Sequence, residues 1–128
     1  MIKTYIHIPS NNFEISGLVI KGKDGAIMLE EKIAKILANE GKEAYLPNTY
    51  LNQDLSLLSS ENLINKDLKR AINKEKMKSC QEIWVCFFEL QYFLDEETMD
   101  IIKEALDLGL ELYFIPFEYL TQLIKWSS

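Results

Sequence analysis

Apolar residues along this chain follow two rhythms, and the alternation between them predicts the fold. Short β-branched and aromatic runs occur at residues 2–8 (IKTYIHI), 42–46 (KEAYL), 82–88 (EIWVCFF) and 111–115 (ELYFI), and prolines 9, 47 and 116 close the first, second and fourth. No polar residue interrupts the third run from Ile83 to Phe88. That is the pattern of a strand covered on both faces, in the middle of a parallel sheet. Between these runs the spacing lengthens to that of helices. Ala26, Leu29, Ile33, Ile36 and Leu37 mark one face of a helix over residues 25–40, with Gly41 as its C-cap. Ser59 or Ser60 can cap a second helix, running to about Ser79 through Leu63, Ile64, Leu68, Ala71 and Ile72. Asp95 caps a third, with Leu94 and Met99 placed as a hydrophobic staple and Gly109 closing it. A fourth, over 117–126, carries Phe117, Tyr119, Leu120, Leu123, Ile124 and Trp126 on more than one side, so homodimerisation through it is expected.

The order β-α-β-α-β-α-β-α predicts a Rossmann-like or flavodoxin-like three-layer α/β sandwich: a four-stranded parallel sheet of order 2-1-3-4 with right-handed crossovers. Ligands of such sheets bind where the strand order reverses, outside the carboxyl ends of the strands. A site is therefore expected from residues 10–24, 47–60 and 89–100.

With 128 residues the chain fits one domain, 1–128. No apolar run approaches the roughly 18 residues of a membrane span, and Met1 leads directly into strand-like sequence, so a cytoplasmic protein without membrane association is expected. The net charge of −6 opposes nonspecific nucleic-acid binding. Cys80, Cys86 and the single histidine, His7, do not make a metal-ligand pattern; the thiols are expected buried, His7 a satisfied strand residue, and neither metal nor cofactor is expected.

Candidate ligand contacts follow from the strand exits. Pro9, Ser10 and Asn11 end the first strand, and a glycine-containing loop with Lys21 and Lys23 runs into a helix start, where backbone N–H groups can meet a phosphate. The stretch after Pro47 is long and polar, and with Asn48 and Tyr50 it can form a lid. Arg70 belongs to a basic stripe of Lys66, Lys69, Arg70, Lys74, Lys76 and Lys78, which is either a solvated helix face or a phosphate contact. Phe88, Glu89 and Tyr92 sit at the third exit, the aromatics as stacking surface for a base.

The chain resembles the nucleoside 2-deoxyribosyltransferase-like proteins over about residues 2–115. The matching positions are Ile8-Pro9, Tyr45-Leu46-Pro47, Cys80-Gln81-Glu82-Ile83-Trp84-Val85, and Ala105-Leu106-Asp107-Leu108-Gly109 leading into residues 112–115. The resemblance implies a nucleoside or nucleotide pocket. Active members carry a serine/glycine turn after the third strand and a nucleophilic glutamate eight residues before the matching glycine. Here that count lands on Ile101, no serine or glycine occurs between Val85 and Leu108, and Gln81 replaces an aspartate. Three readings follow. The first is a non-catalytic nucleotide or nucleotide-signal binding protein, for instance one that sequesters an ADP-ribose-type signal as phage counter-defence proteins do. The second is a nucleoside N-glycosidase or 2-deoxyribosyltransferase with Glu89, Glu97 or Asp100 as nucleophile or acid/base. The third is a protein-interaction module acting through the C-terminal helix.

Overall fold

The computed structural model describes the backbone of residues 1–8, 13–15, 18–20, 22–54, 66–87, 96–116, 118–119 and 122, and the side chains of 1–8, 26–50, 70–87, 96–116, 118–119 and 122. Its elements are β1 (Lys3–His7), β2 (Phe13–Ile15), β3 (Leu18–Ile20), α1 (Gly22–Asn39), β4 (Glu43–Tyr45), α2 (Pro47–Asp54), α3 (Lys66–Met77), β5 (Glu82–Phe87), α4 (Glu96–Asp107) and β6 (Glu111–Pro116). A four-stranded, all-parallel sheet has the order β4-β1-β5-β6. Counted by its own strands this is the expected 2-1-3-4, an α/β Rossmann-like or flavodoxin-like arrangement.

The central position of β1 and β5 follows from composition. From Thr4 to His7 and from Glu82 to Cys86 every side chain is buried, and successive residues serve opposite faces. Ile6, Ile8, Trp84 and Cys86 pack with Ala26, Leu29, Ile33 and Leu37 of α1 on one face. Tyr5, Ile83 and Val85 pack with Met77 of α3 and Ala105 of α4 on the other. Both cysteines are buried and free. Burial pushes both thiols above their ordinary range. No helix among the described residues is long and apolar enough to cross a membrane.

The glycine stops close as expected. After α1, Lys42 N–H donates to Leu37 O at 2.9 Å and Gly41 N–H to Ala38 O at 3.0 Å. After α4, Leu110 N–H donates to Ala105 O at 3.0 Å and Gly109 N–H to Leu106 O at 3.1 Å. Both are Schellman closures, and they need a left-handed residue, which Gly41 (φ 76°) and Gly109 (φ 75°) supply. At the amino end of the sheet the buried Glu82 carboxylate accepts from Thr4 Oγ1 at 2.6 Å and Lys42 Nζ at 3.0 Å, so it is satisfied.

Four expectations are corrected. The loop expected before α1 contains the antiparallel pair β2–β3. The Ser16-Gly17 dipeptide between FEI and LVI is a turn signal that outweighs loop-like composition. α1 begins at Gly22 rather than Gly25, which places Lys23 inside the helix instead of in a loop. The expected lid after Pro47 is, over Pro47–Asp54, the helix α2. Finally, Ala71 is exposed, and α3 buries Asn73 and Met77 instead; Met99 is exposed, and Leu94, its expected staple partner, lies outside the described residues. The caps expected at Ser59, Ser60 and Asp95, and all but Glu118, Tyr119 and Gln122 of the last helix's interior, lie outside the described residues.

Candidate binding cleft

β1 feeds a helix that returns to β4 on one side, whereas β5 is followed by β6 on the other, so the order reverses between β1 and β5. Ligand crevices of open α/β sheets form at such a point. α3 and α4 lie side by side on one face of the sheet, and a cleft of about 380 Å³ runs between them along that face. Asn73 and Met77 of α3 and Glu97 and Ile101 of α4 line it. A second, narrow recess of about 10 Å³ is bounded by Tyr5, His7, Pro47 and Asn48 and shares Asn73, Glu97 and Ile101 with the cleft. Its volume is that of about one water molecule.

The polar groups around the recess differ in how they are satisfied. The Nε2 of His7 lies 2.8 Å from Thr98 Oγ1, which joins β1 to the first turn of α4 and keeps this buried histidine hydrogen-bonded, as expected. The Tyr45 hydroxyl makes a long contact, 3.5 Å, to Asn73 Oδ1. Tyr5 is fully buried, its ring 5.3 Å from that of Tyr45, and its hydroxyl has no hydrogen-bond partner among the described residues. Leaving such a group unsatisfied costs about 1–3 kcal/mol, so its presence calls for an explanation. Burial first, then the charges of Tyr45, Glu97 and Glu30, hold the Tyr5 phenol well above its ordinary pKa, so it stays protonated and able to donate.

On the far side of β1, Glu30 shows the opposite condition. It is fully buried on the apolar stripe of α1. Its Oε2 accepts from the backbone N–H and Nδ2 of Asn48, both at 3.0 Å, and its Oε1 from the backbone N–H and Oγ1 of Thr49, both at 2.8 Å. Asn48 and Thr49 follow Pro47 in the first turn of α2, where N–H groups have no partner within the helix. Leu46, ahead of Pro47, has no side-chain acceptor, and Glu30 does the capping from another helix. Burial nevertheless outweighs these bonds and raises the Glu30 carboxyl above its ordinary value.

Of the basic stripe on α3, the four residues whose side chains are described, Arg70, Lys74, Lys76 and Lys78, are engaged in ion pairs or a ring contact. Because α3 and α4 run side by side, positions one turn apart on each face one another. Arg70 pairs with Asp100 at 3.0 Å and Lys74 with Glu104 at 3.5 Å, across the cleft. Lys78 pairs with Glu75 on its own helix, and Lys76 stands 4.7 Å above the Tyr50 ring. The cleft lining adds Lys103 and the carboxylates of Glu97 and Asp107, so its charges do not sum to a phosphate-attracting surface.

Of the residues singled out from the sequence, Asn48, Arg70, Glu97 and Asp100 come to the cleft or its recess. Tyr50 lines neither: it packs 5.7 Å from Tyr45, beneath Lys76. Pro9, Ser10, Asn11, Lys21, Phe88, Glu89 and Tyr92, together with the side chain of Lys23, lie outside the described residues. Sequence reasoning passed over Tyr5, Asn73, Thr98 and Glu30. Two of these left a signal: Tyr5 stands two residues before His7 and so on its face of the strand, and Glu30 interrupts the apolar stripe between Leu29 and Ile33. Asn73 and Thr98 left none, because their burial comes from partners distant in the chain.

Compared with known proteins, the chain matches no family model, no curated protein and no solved structure.

Proposed function

We propose that the cleft between α3 and α4 binds a nucleotide-type small molecule, an ADP-ribose-type signal included, and holds it without reacting with it. The single observation that carries this reading is the make-up of the cleft between α3 and α4: apolar surface from Met77 and Ile101 beside the Asn73 amide, edged by the paired charges of Arg70 with Asp100 and Lys74 with Glu104. The resemblance to the nucleoside 2-deoxyribosyltransferase-like proteins adds the ligand class. It also assigns the nucleophile's place to Ile101, a wall of the cleft that has no group able to attack an anomeric carbon.

Calorimetry with nucleosides, their 5′-monophosphates, ADP-ribose and cyclic ADP-ribose isomers tests this reading. Saturable binding of at least one, with the ligand recovered intact by chromatography, is the expected outcome; no heat and no thermal shift with any of them overturns it. A second reading, N-glycosidase chemistry, is favoured by Glu97, the one candidate carboxylate among the described residues that lines both cleft and recess. Release of free base that is lost in Glu97→Gln would establish it and displace the first.

A further inference from the structure

Two carboxyls among the described residues are buried, and they differ in what faces them. Glu82 has the ammonium of Lys42 at 3.0 Å. Glu30 has no cation beside it among the described residues: α2 presents the uncharged Asn48 and Thr49, β5 the Cys86 thiol and β1 the Tyr5 phenol, both held neutral by burial. A buried charge without a counter-charge is costly, and taking up a proton relieves that cost. The surroundings of Glu30 can accommodate one. Three of its four donors are amide N–H groups, but the fourth is the Thr49 hydroxyl, 2.8 Å from Oε1, which can accept as well as donate. A proton on Oε1 therefore finds an acceptor while all three amides keep theirs.

What Glu30 holds is α2, a helix of eight residues, too short to be stable on its own. Glu30 supplies the acceptors of its first turn, and its other anchor is Tyr50, set against Tyr45 and beneath Lys76. Pro47 and Asn48, which begin α2, also wall the recess at the end of β1. We propose that α2 is a proton-coupled latch: it closes on α1 as Glu30 takes up a proton, is held more firmly as pH falls, and on opening releases the proton and uncovers that recess. The sign follows from burial. In the closed state desolvation raises the Glu30 carboxyl above the ordinary value, which it regains in water when α2 opens. The proton's contribution to closure is fully present below the ordinary value and is lost as pH rises through the closed-state value. The latch does not depend on what the cleft between α3 and α4 binds.

The test is native-state hydrogen exchange on the full chain, read at the amides of Asn48, Thr49 and Tyr50 and corrected for intrinsic exchange, between about pH 8 and about pH 4.5. In the wild type their protection is expected to rise by about 3- to 10-fold as pH falls and then to level off, while staying below that of Ile6 and Val85 in the central strands. In Glu30→Gln, which is neutral throughout, the same amides should be less protected and show no such rise. An infrared titration of the wild type needs no variant: a protonated-carboxyl band should appear at higher pH than those of the other carboxyls, and its absence overturns the inference. So does wild-type protection that is flat or decreases as pH falls. A rise that survives in Glu30→Gln transfers the effect to another titrating group, such as the buried His7 on β1, and equally overturns it. Equal protection at α2 and at Ile6 and Val85 means that α2 opens only with the whole fold, and the latch falls.

Discussion

Glu30 and Tyr5 sit on opposite faces of the same sheet, both fully buried, both polar, and their conditions are opposite. Glu30 receives four hydrogen bonds from two consecutive residues and starts a helix. Tyr5 receives none at its hydroxyl and lines a recess. Burial alone therefore does not distinguish a satisfied polar group from an unsatisfied one. Partner accounting does, because a satisfied buried group has already exchanged its water for protein, and an unsatisfied one still gains from whatever replaces that water.

The contrast can be broken first at Glu30. Glu30→Ala leaves two backbone N–H groups, a hydroxyl and an amide without their acceptor, and should destabilise the fold by about 3–5 kcal/mol in urea denaturation, with α2 losing amide protection first. A loss below about 1 kcal/mol would show that water substitutes for the carboxylate, and the distinction between the two sites would fall.

A smaller effect sharpens the electrostatic side. The Glu30 carboxyl is raised in the folded state, so the folded protein takes up this proton at higher pH than the unfolded chain. Its contribution is fully present below the ordinary glutamate value and is lost as pH rises through the folded value. The stability difference between wild type and Glu30→Gln should accordingly grow in favour of the wild type as pH falls from 7 through that window, read from denaturant midpoints at several pH values. A difference independent of pH would mean that the four donors cancel the burial.

The smallest effect is expected at the cleft rim. Arg70 and Asp100 are each about half exposed, at 48% and 43%, so solvent screening leaves their pair little net strength. Asp100→Asn should change stability by less than about 0.5 kcal/mol while leaving Arg70 in place. A larger loss would make the rim, like Glu30, part of the framework.

Much of the architecture was legible because it depends on short-range periodicity. Residues two apart share a strand face and residues three or four apart share a helix face, whatever lies beyond them. The lid expected after Pro47 and the corrected face of α3 show where that reasoning stops. α2 is only eight residues long, and an isolated helix of that length is marginal; its first turn is completed by a residue 18 positions earlier. Of the residues expected at a site, Asn48, Arg70, Glu97 and Asp100 come to the cleft or its recess, whereas the buried polar groups beside them, Asn73 and Thr98, left no signal in the sequence.

Patterning along the chain by itself determined four strands, the helices between them, the glycine stops at Gly41 and Gly109, and hence a parallel sheet of order 2-1-3-4. Only the tertiary structure decided which polar groups have partners. His7 meets Thr98 across 91 residues, Thr4 meets Glu82 across 78, Glu30 meets Asn48 across 18, and the Tyr5 hydroxyl meets none among the described residues. The physical reason is that apolar burial is non-directional and roughly additive in area, so its pattern survives in one dimension. A hydrogen bond requires two specific atoms within about 3 Å, and whether they meet depends on how the layers close.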